Sequence, residues 1–334
     1  MLSHTARCLL ILAILLAPAR SQPSPHRIYV CGIESKGYVV GAKLPPSGLF
    51  LYQPPAWRQL GFNHPTINSV TYNPRDPKTL YIAAGNGCIR SADSGKSWRI
   101  LTSWQMTEIQ DVALDSLNPT HILIALPDGI GYSGDDGRSW SHRDSGLPRK
   151  FVQSINADRT RGHRFLAGTE TGLYVSEDSG LHWRLAGAKD SMITAVEQSP
   201  AQTSLWMATT QQGGLFLSTD NAHTFSKVHN IPAEHALYNV SLHPYDPNLA
   251  AVCGWHLGIR VSQDGGKTWL DRTQGLPSNH LWRVAFDPSH KQRLWASVHE
   301  EAVFFSDDLG LTWTRAGLEG SIVRDFVFIP EVRQ

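Results

Sequence analysis

Residues 262–269 read SQDGGKTW, and this octet recurs along the chain. The pattern Ser-x-Asp-x-Gly-x-Ser/Thr-Trp returns at 91–98 (SADSGKSW), 133–140 (SGDDGRSW), 176–183 (SEDSGLHW), 218–225 (STDNAHTF) and 306–313 (SDDLGLTW). Its third-position aspartates are Asp93, Asp135, Asp178, Asp220, Asp264 and Asp308, at intervals of 42, 43, 42, 44 and 44 residues. A fixed period near 43 is the mark of a propeller or a solenoid. Two copies are altered: one carries Ala222 for Gly and Phe225 for Trp, another His182 at the hydroxyl position. Counting 41 residues back from Trp98 reaches Trp57 in 50–57 (FLYQPPAW), a seventh copy that keeps the Trp without the Asp and Gly.

Each period has one internal grammar. In the second, 67–72 (INSVTY) reads as a strand, 73–78 (NPRDPK) as a turn and 80–84 (LYIAA) as a strand. Residues 85–87 turn, 88–91 form a third strand, the octet turns again, and 98–101 (WRIL) form a fourth. Four short strands per repeat match a propeller blade. The chain begins with 27–31 in the second-strand position of the first unit and ends with 322–329 (IVRDFVFI), a first strand with no blade after it. Pairing the two closes the ring and removes an open sheet edge. The expectation is an all-β, seven-bladed β-propeller over residues 22–334.

The 334 residues carry 30 Lys+Arg against 29 Asp+Glu, a balance that argues against nucleic acid or an anionic membrane as partner. With 28 Gly, 20 Pro and 11 Trp the composition favours turns and short strands, and it excludes coiled coil and collagen. Arg7, the apolar run 8–17 (CLLILAILLA) and small residues at Ala17 and Ala19 describe a secretory signal peptide, residues 1–21, cleaved after Ala19 or Ser21. The run is shorter than the ~20 residues a spanning helix needs. The mature protein is therefore expected to be secreted or periplasmic, monomeric and without an integral membrane segment. Cleavage leaves Cys31, Cys88 and Cys253, too few for a disulfide scaffold and without the spacing of a zinc site, so small core residues are expected there.

The octets resemble Asp-boxes, also called BNR repeats, and the resemblance covers six of seven blades. Families with this pattern include sialidases, xyloglucan-degrading glycosidases, sortilin-type luminal domains and photosystem II assembly-factor-like propellers. By length and blade count the chain is most similar to the last group. The resemblance implies that the boxes are structural and lie away from the ligand face. The residues agree: the Asp accepts N–H groups across its turn, Gly tolerates positive φ, and the Trp covers apolar surface between blades. Six equivalent carboxylates around a ring cannot form one catalytic pair.

Strand order puts the boxes and the Asn-Pro turns on one face, and the second-to-third and blade-to-blade loops on the other. Six tryptophans occupy octet position eight, and Trp206 and Trp295 align with Tyr81 of a second strand. Trp104, Trp255 and Trp282 remain, all in or beside loops of the opposite face. His235, His256, His280 and His299 lie there too, with Tyr238 close by in the same reading. These eight are the candidate ligand-binding residues, concentrated in blades 5 to 7, and their mix of aromatic and polar groups suits a carbohydrate or a peptide. No fixed metal-spacing motif occurs, so neither metal nor other cofactor is expected.

An enzyme reading meets obstacles. The nearest string to a sialidase arginine motif, His26-Arg27-Ile28-Tyr29, lacks the proline and leads directly into a strand. Xyloglucan-type glycosidases pair two propellers around a cleft, and one is present. A two-carboxylate mechanism on the open face could draw on Glu34, Asp128, Glu170, Asp190, Glu234, Glu300 or Glu301. The basic residues Arg149, Lys150, Arg159, Arg161 and Arg164 gather around blade 4, where a solvated rim is expected rather than a protein-binding patch. The function expected is an exported, non-catalytic propeller binding a protein or glycan on the face opposite the boxes; the alternative is a glycosidase on that face.

Overall fold

In a computed structural model the described residues are 25–39, 41–212, 214–232 and 234–331. The expected export segment lies outside them. Among the described residues the chain forms seven four-stranded antiparallel sheets. Six are built from consecutive strands. The seventh, blade 1, has the order Ser321–Pro330, His26–Glu34, Ser47–Gln53, Ala56–Gln59, so the C-terminal strand is its innermost member and closes the ring. The closing pair runs from His26 opposite Pro330 to Glu34 opposite Ser321. Blades 2 to 7 follow in chain order, with inner strands Ile67–Asn73, Asp111–Leu114, Val152–Ala157, Ile193–Gln198, Leu237–Leu242 and Leu281–Phe286.

Strand alternation sends successive side chains to opposite faces of a blade, so the apolar core forms seven layers, each between two neighbouring blades. Blades 6 and 7 share Cys253, Ile259, Val284, Phe286 and Leu294; blades 7 and 1 share Trp295, Val303, Val30 and Phe50. Trp206, Trp295 and Tyr81 are buried as expected, and Cys31, Cys88 and Cys253 are free, buried core residues.

The octet is a self-contained turn. In blade 6, Asp264 Oδ1 accepts the N–H groups of Lys267 (3.0 Å) and Thr268 (2.8 Å), and Oδ2 accepts the Thr268 hydroxyl at 2.6 Å. Ser262 Oγ donates to the same carboxylate and accepts the Gly266 N–H at 2.8 Å, with Gly266 at φ 88°. These bonds hold the Asp264 carboxyl down at about 2. His182 replaces the hydroxyl through Nδ1, 2.7 Å from Asp178 Oδ2, and Ala222 takes the glycine position at φ 58°. The octet tryptophans are mostly half-buried rather than core, and most also tie blades by a hydrogen bond. The indole N–H of Trp313 reaches Arg272 O at 2.8 Å, that of Trp183 reaches Arg143 O at 2.9 Å, and that of Trp57 reaches Ala316 O at 2.7 Å.

Two local readings are refined. The turn at 73–78 is tighter than its sequence implied, because Asn73 pairs with Asp76 and the strand resumes at once. The basic group of blade 4 is dispersed into specific partners. Arg164 is buried against Asp158 at 2.6 Å, Arg149 faces Glu170 and Lys150 faces Asp144.

Candidate functional site

The inner strands surround a central channel of about 1030 Å³. At its mouth they share a feature that periodicity does not reveal. In six blades the register slips by one residue near the mouth end of the inner strand, leaving Asn68, Gln153, Thr194, Tyr238, Trp282 and Arg324 without a cross-strand partner. In blade 3, Gln110 occupies this position and donates its N–H to Ala125 O, on the residue paired with Asp111. Each is a β-bulge, a device that re-aims a side chain. All seven side chains line the channel, and together they form a ring at the face opposite the Asp-boxes.

The next residues inward pin the blades together. Asp325 Oδ2 accepts the Val70 N–H (3.1 Å), Asp111 Oδ2 the Ile155 N–H (3.0 Å) and Asn239 Oδ1 the Val284 N–H (2.9 Å). Further along, Glu197 Oε1 accepts the Leu242 N–H at 3.3 Å. Burial pushes the Asp325 carboxyl up to about 7, against the pull of Arg283, and pushes Glu197 up to about 7 and Asp111 upward as well.

Six of the eight expected ligand residues meet beside this mouth. Tyr238 and Trp282 stack with centroids 4.7 Å apart and planes 11° apart. Trp255 stacks on His280 at 4.2 Å, and His280 Nε2 lies 3.1 Å from His256 Nδ1. The indole N–H of Trp282 donates to His299 Nδ1 at 2.8 Å. That bond assigns the His299 ring proton to Nε2, which faces Glu300 at 4.0 Å. Desolvation, then the neighbouring His256 and His299, lower the His280 pKa. The sector therefore belongs to blades 6 and 7 and not to blade 5. Trp104 lies in the loop entering blade 3, 83% exposed and outside these ring contacts. His235, in the loop entering blade 6, is likewise outside them.

Of the carboxylate candidates Glu34, Asp128, Glu300 and Glu301, two have local partners. Glu301 bonds Lys36 at 3.0 Å and faces Arg315, and the Lys36 hydrogen bond chiefly lowers its pKa. Glu300 accepts the Ser35 hydroxyl at 3.0 Å. Glu34 is raised by burial, and Asp128 is exposed in the turn after Ile122–Leu126. Sequence reasoning missed Arg324, Asp325 and the polar members of the bulge ring. Their trace is a polar or aromatic residue directly after the first apolar position of an inner strand, as in Ile67-Asn68 and Leu281-Trp282; Arg324 departs from it, following Ile322 and Val323.

No family model and no curated protein sequence matches this chain. Solved structures do. The GH74 xyloglucanase from Xanthomonas campestris superposes with TM-score 0.65 at 17% identity over 78% of this chain and 46% of its own. YCF48 from Cyanidioschyzon merolae gives 0.61 at 16% identity over 79% and 89%. YCF48 bound to D1 peptide gives 0.58 at 20% identity over 75% and 81%. The chain spans less than half the length of the GH74 enzymes it matches. At these identities the likeness is one of fold: a seven-bladed propeller like those of GH74 xyloglucanases and YCF48.

Proposed function

We propose that this protein is an exported, non-catalytic binding module that holds a glycan over the channel mouth, on the side of blades 6, 7 and 1. The observation that carries the reading is the Tyr238–Trp282 stack, aimed by two consecutive bulges and bordered by Trp255. Aromatic faces pack against the C–H faces of sugar rings, and the neutral side chains of Asn68, Gln110, Gln153 and Thr194 offer hydrogen-bonding groups around the rest of the mouth. Export rests on the basic residue, apolar run and small residues of segment 7–21. The non-catalytic reading is supported by the employment of the carboxylates: Glu301 is ion-paired, and Asp111, Glu197 and Asp325 accept N–H groups of the neighbouring inner strand.

One observation favours a glycosidase instead: Asp325 lines the channel with its carboxyl pushed up to about 7, a range suited to a general acid. A protein segment is the other possible occupant, since a propeller of similar fold, YCF48, has been solved with D1 peptide. The test is to incubate the purified mature protein with a panel of polysaccharides and oligosaccharides, scoring retention and sugar release. Retention without release, lost in Trp282→Ala, supports the proposal. Release that disappears in Asp325→Asn makes the protein a glycosidase. Neither retention nor release refutes glycan binding and leaves the protein partner.

A further inference from the structure

Arg324 is the one cation in the bulge ring. Other arginines near it are engaged: Arg283 donates to Tyr238 O at 3.0 Å and stands 4.0 Å from Asp325. Arg324 has no hydrogen bond or ion pair to any described residue. Its Nε is sealed from solvent without an acceptor, and its guanidinium sits 5.5 Å from the centre of the Trp282 ring. The bulge separates it from its own neighbour in sequence, because Asp325 turns to the Val70 N–H and to Arg283. Burial and the like charge of Arg283 both act against its positive charge. Arg324 is only partly buried, so its outer nitrogens stay open to the channel, and a partly desolvated cation with no acidic partner suits an anion there.

The surroundings specify what kind. Arg324 lines the channel and also a side pocket of about 430 Å³ between blades 1, 2 and 3, within the size range of small-ligand sites. The same pocket holds Asn68 and Gln110, whose amide nitrogens each give one N–H, to Ile109 O (2.8 Å) and Glu108 O (2.6 Å). Each keeps its amide oxygen and a second N–H, a donor and acceptor pair that matches sugar hydroxyls. A guanidinium fork suits a planar carboxylate, and the Trp282 side of the same group is aromatic. Glu108, exposed on the pocket wall, is the opposing charge.

We propose that Arg324 anchors a carboxylate of the bound saccharide, so that the ligand class is an acidic glycan bearing uronic-acid or comparable carboxylated residues. This rests on the glycan-binding reading above and adds the charge requirement. The anionic group sits at Arg324, the hydroxyls face Asn68 and Gln110, and the remainder of the chain crosses the Tyr238–Trp282 stack.

The experiment is an array of uronate-containing oligosaccharides printed beside the same oligosaccharides after carboxyl reduction, with affinities of hits measured in solution at low and high salt. The expected result is binding of the acidic forms, weakened by salt and reduced about tenfold or more on carboxyl reduction or in Arg324→Gln. Glu108→Gln, on an exposed side chain, is expected to strengthen binding of the acidic forms about twofold to threefold relative to the carboxyl-reduced forms. It keeps the proposal testable if Arg324→Gln fails to fold. Equal binding of acidic and reduced forms overturns this inference and leaves the glycan module standing. Binding of no glycan, or of carboxylate-bearing peptides alone, overturns both. An acidic preference that survives Arg324→Gln in a folded variant overturns the assignment to Arg324.

Discussion

Replacing Asp325 with Asn is expected to stabilise the protein at neutral pH. An ordinary aspartate titrates near 3.8, whereas burial pushes Asp325 up to about 7. A carboxyl whose pKa is raised on folding holds its proton more tightly in the folded chain. It supports folding fully below about pH 4, and the support is lost as pH climbs through about 7. At about 1.4 kcal/mol per pH unit the full rise is worth about 4 kcal/mol. The side chain is 26% exposed to channel water and Arg283 Nε stands 4.0 Å away, so screening reduces the effect to about 1–2 kcal/mol. Asparagine keeps an oxygen for the Val70 N–H and carries no charge to desolvate. Urea unfolding of wild type and Asp325→Asn at about pH 5 and about pH 8 measures the effect. The variant is expected to lose about 1–2 kcal/mol less than wild type across that interval. Glu197, also near 7, is raised in part by the Asp325 charge, so removing that charge eases its shift and adds to the difference in the same direction. Equal pH dependence in the two proteins refutes the reasoning. So does a variant less stable than wild type by more than about 1 kcal/mol at the higher pH, because Asp325 would then be a carboxylate held by Arg283.

Trp295 is 1% exposed and its indole N–H donates to the nearly buried Asp287 at 3.0 Å, so Trp295→Ala is expected to cost about 3–5 kcal/mol in chemical unfolding. Asp158→Ala strands the buried Arg164 guanidinium, 2.6 Å from the removed carboxylate, and is expected to cost about 3 kcal/mol; a loss below about 1 kcal/mol would mean that Glu177 and Asn221 O suffice. His280 is expected to titrate below the ordinary 6.5 by NMR, since its lowered pKa favours the neutral ring and the His256 contact is lost as pH falls through it. Titration above 6.5 contradicts the packing against Trp255.

The legible part of the fold lies within eight-residue windows. Asp264 and Ser262 close the turn with Gly266, Lys267 and Thr268, all inside one octet, so the spacing of such octets reported six of the seven blades directly. Ring closure was legible because a strand at each end lacked a partner, and the Ser321–Pro330 strand pairs with His26–Glu34. The aromatic sector was partly legible by subtraction: removing the tryptophans that the repeat explains left Trp255 and Trp282, which do meet, and Trp104, which stands apart.

By itself the sequence determined the repeat, the number of blades, the position of the Asp-box turns and which loops emerge on the opposite face, because all of these follow from local bonds and strand order. The tertiary structure alone decided which side chains share the channel mouth. A one-residue bulge carries no distinctive residue type, yet it turns Tyr238, Trp282 and Arg324 toward the mouth. Ring closure then sets Arg324, from the last strand of the chain, over Trp282 of blade 7 and beside Asn68 of blade 2. Proximity across blades depends on where inner strands converge, and that convergence has no counterpart in any local stretch of the chain.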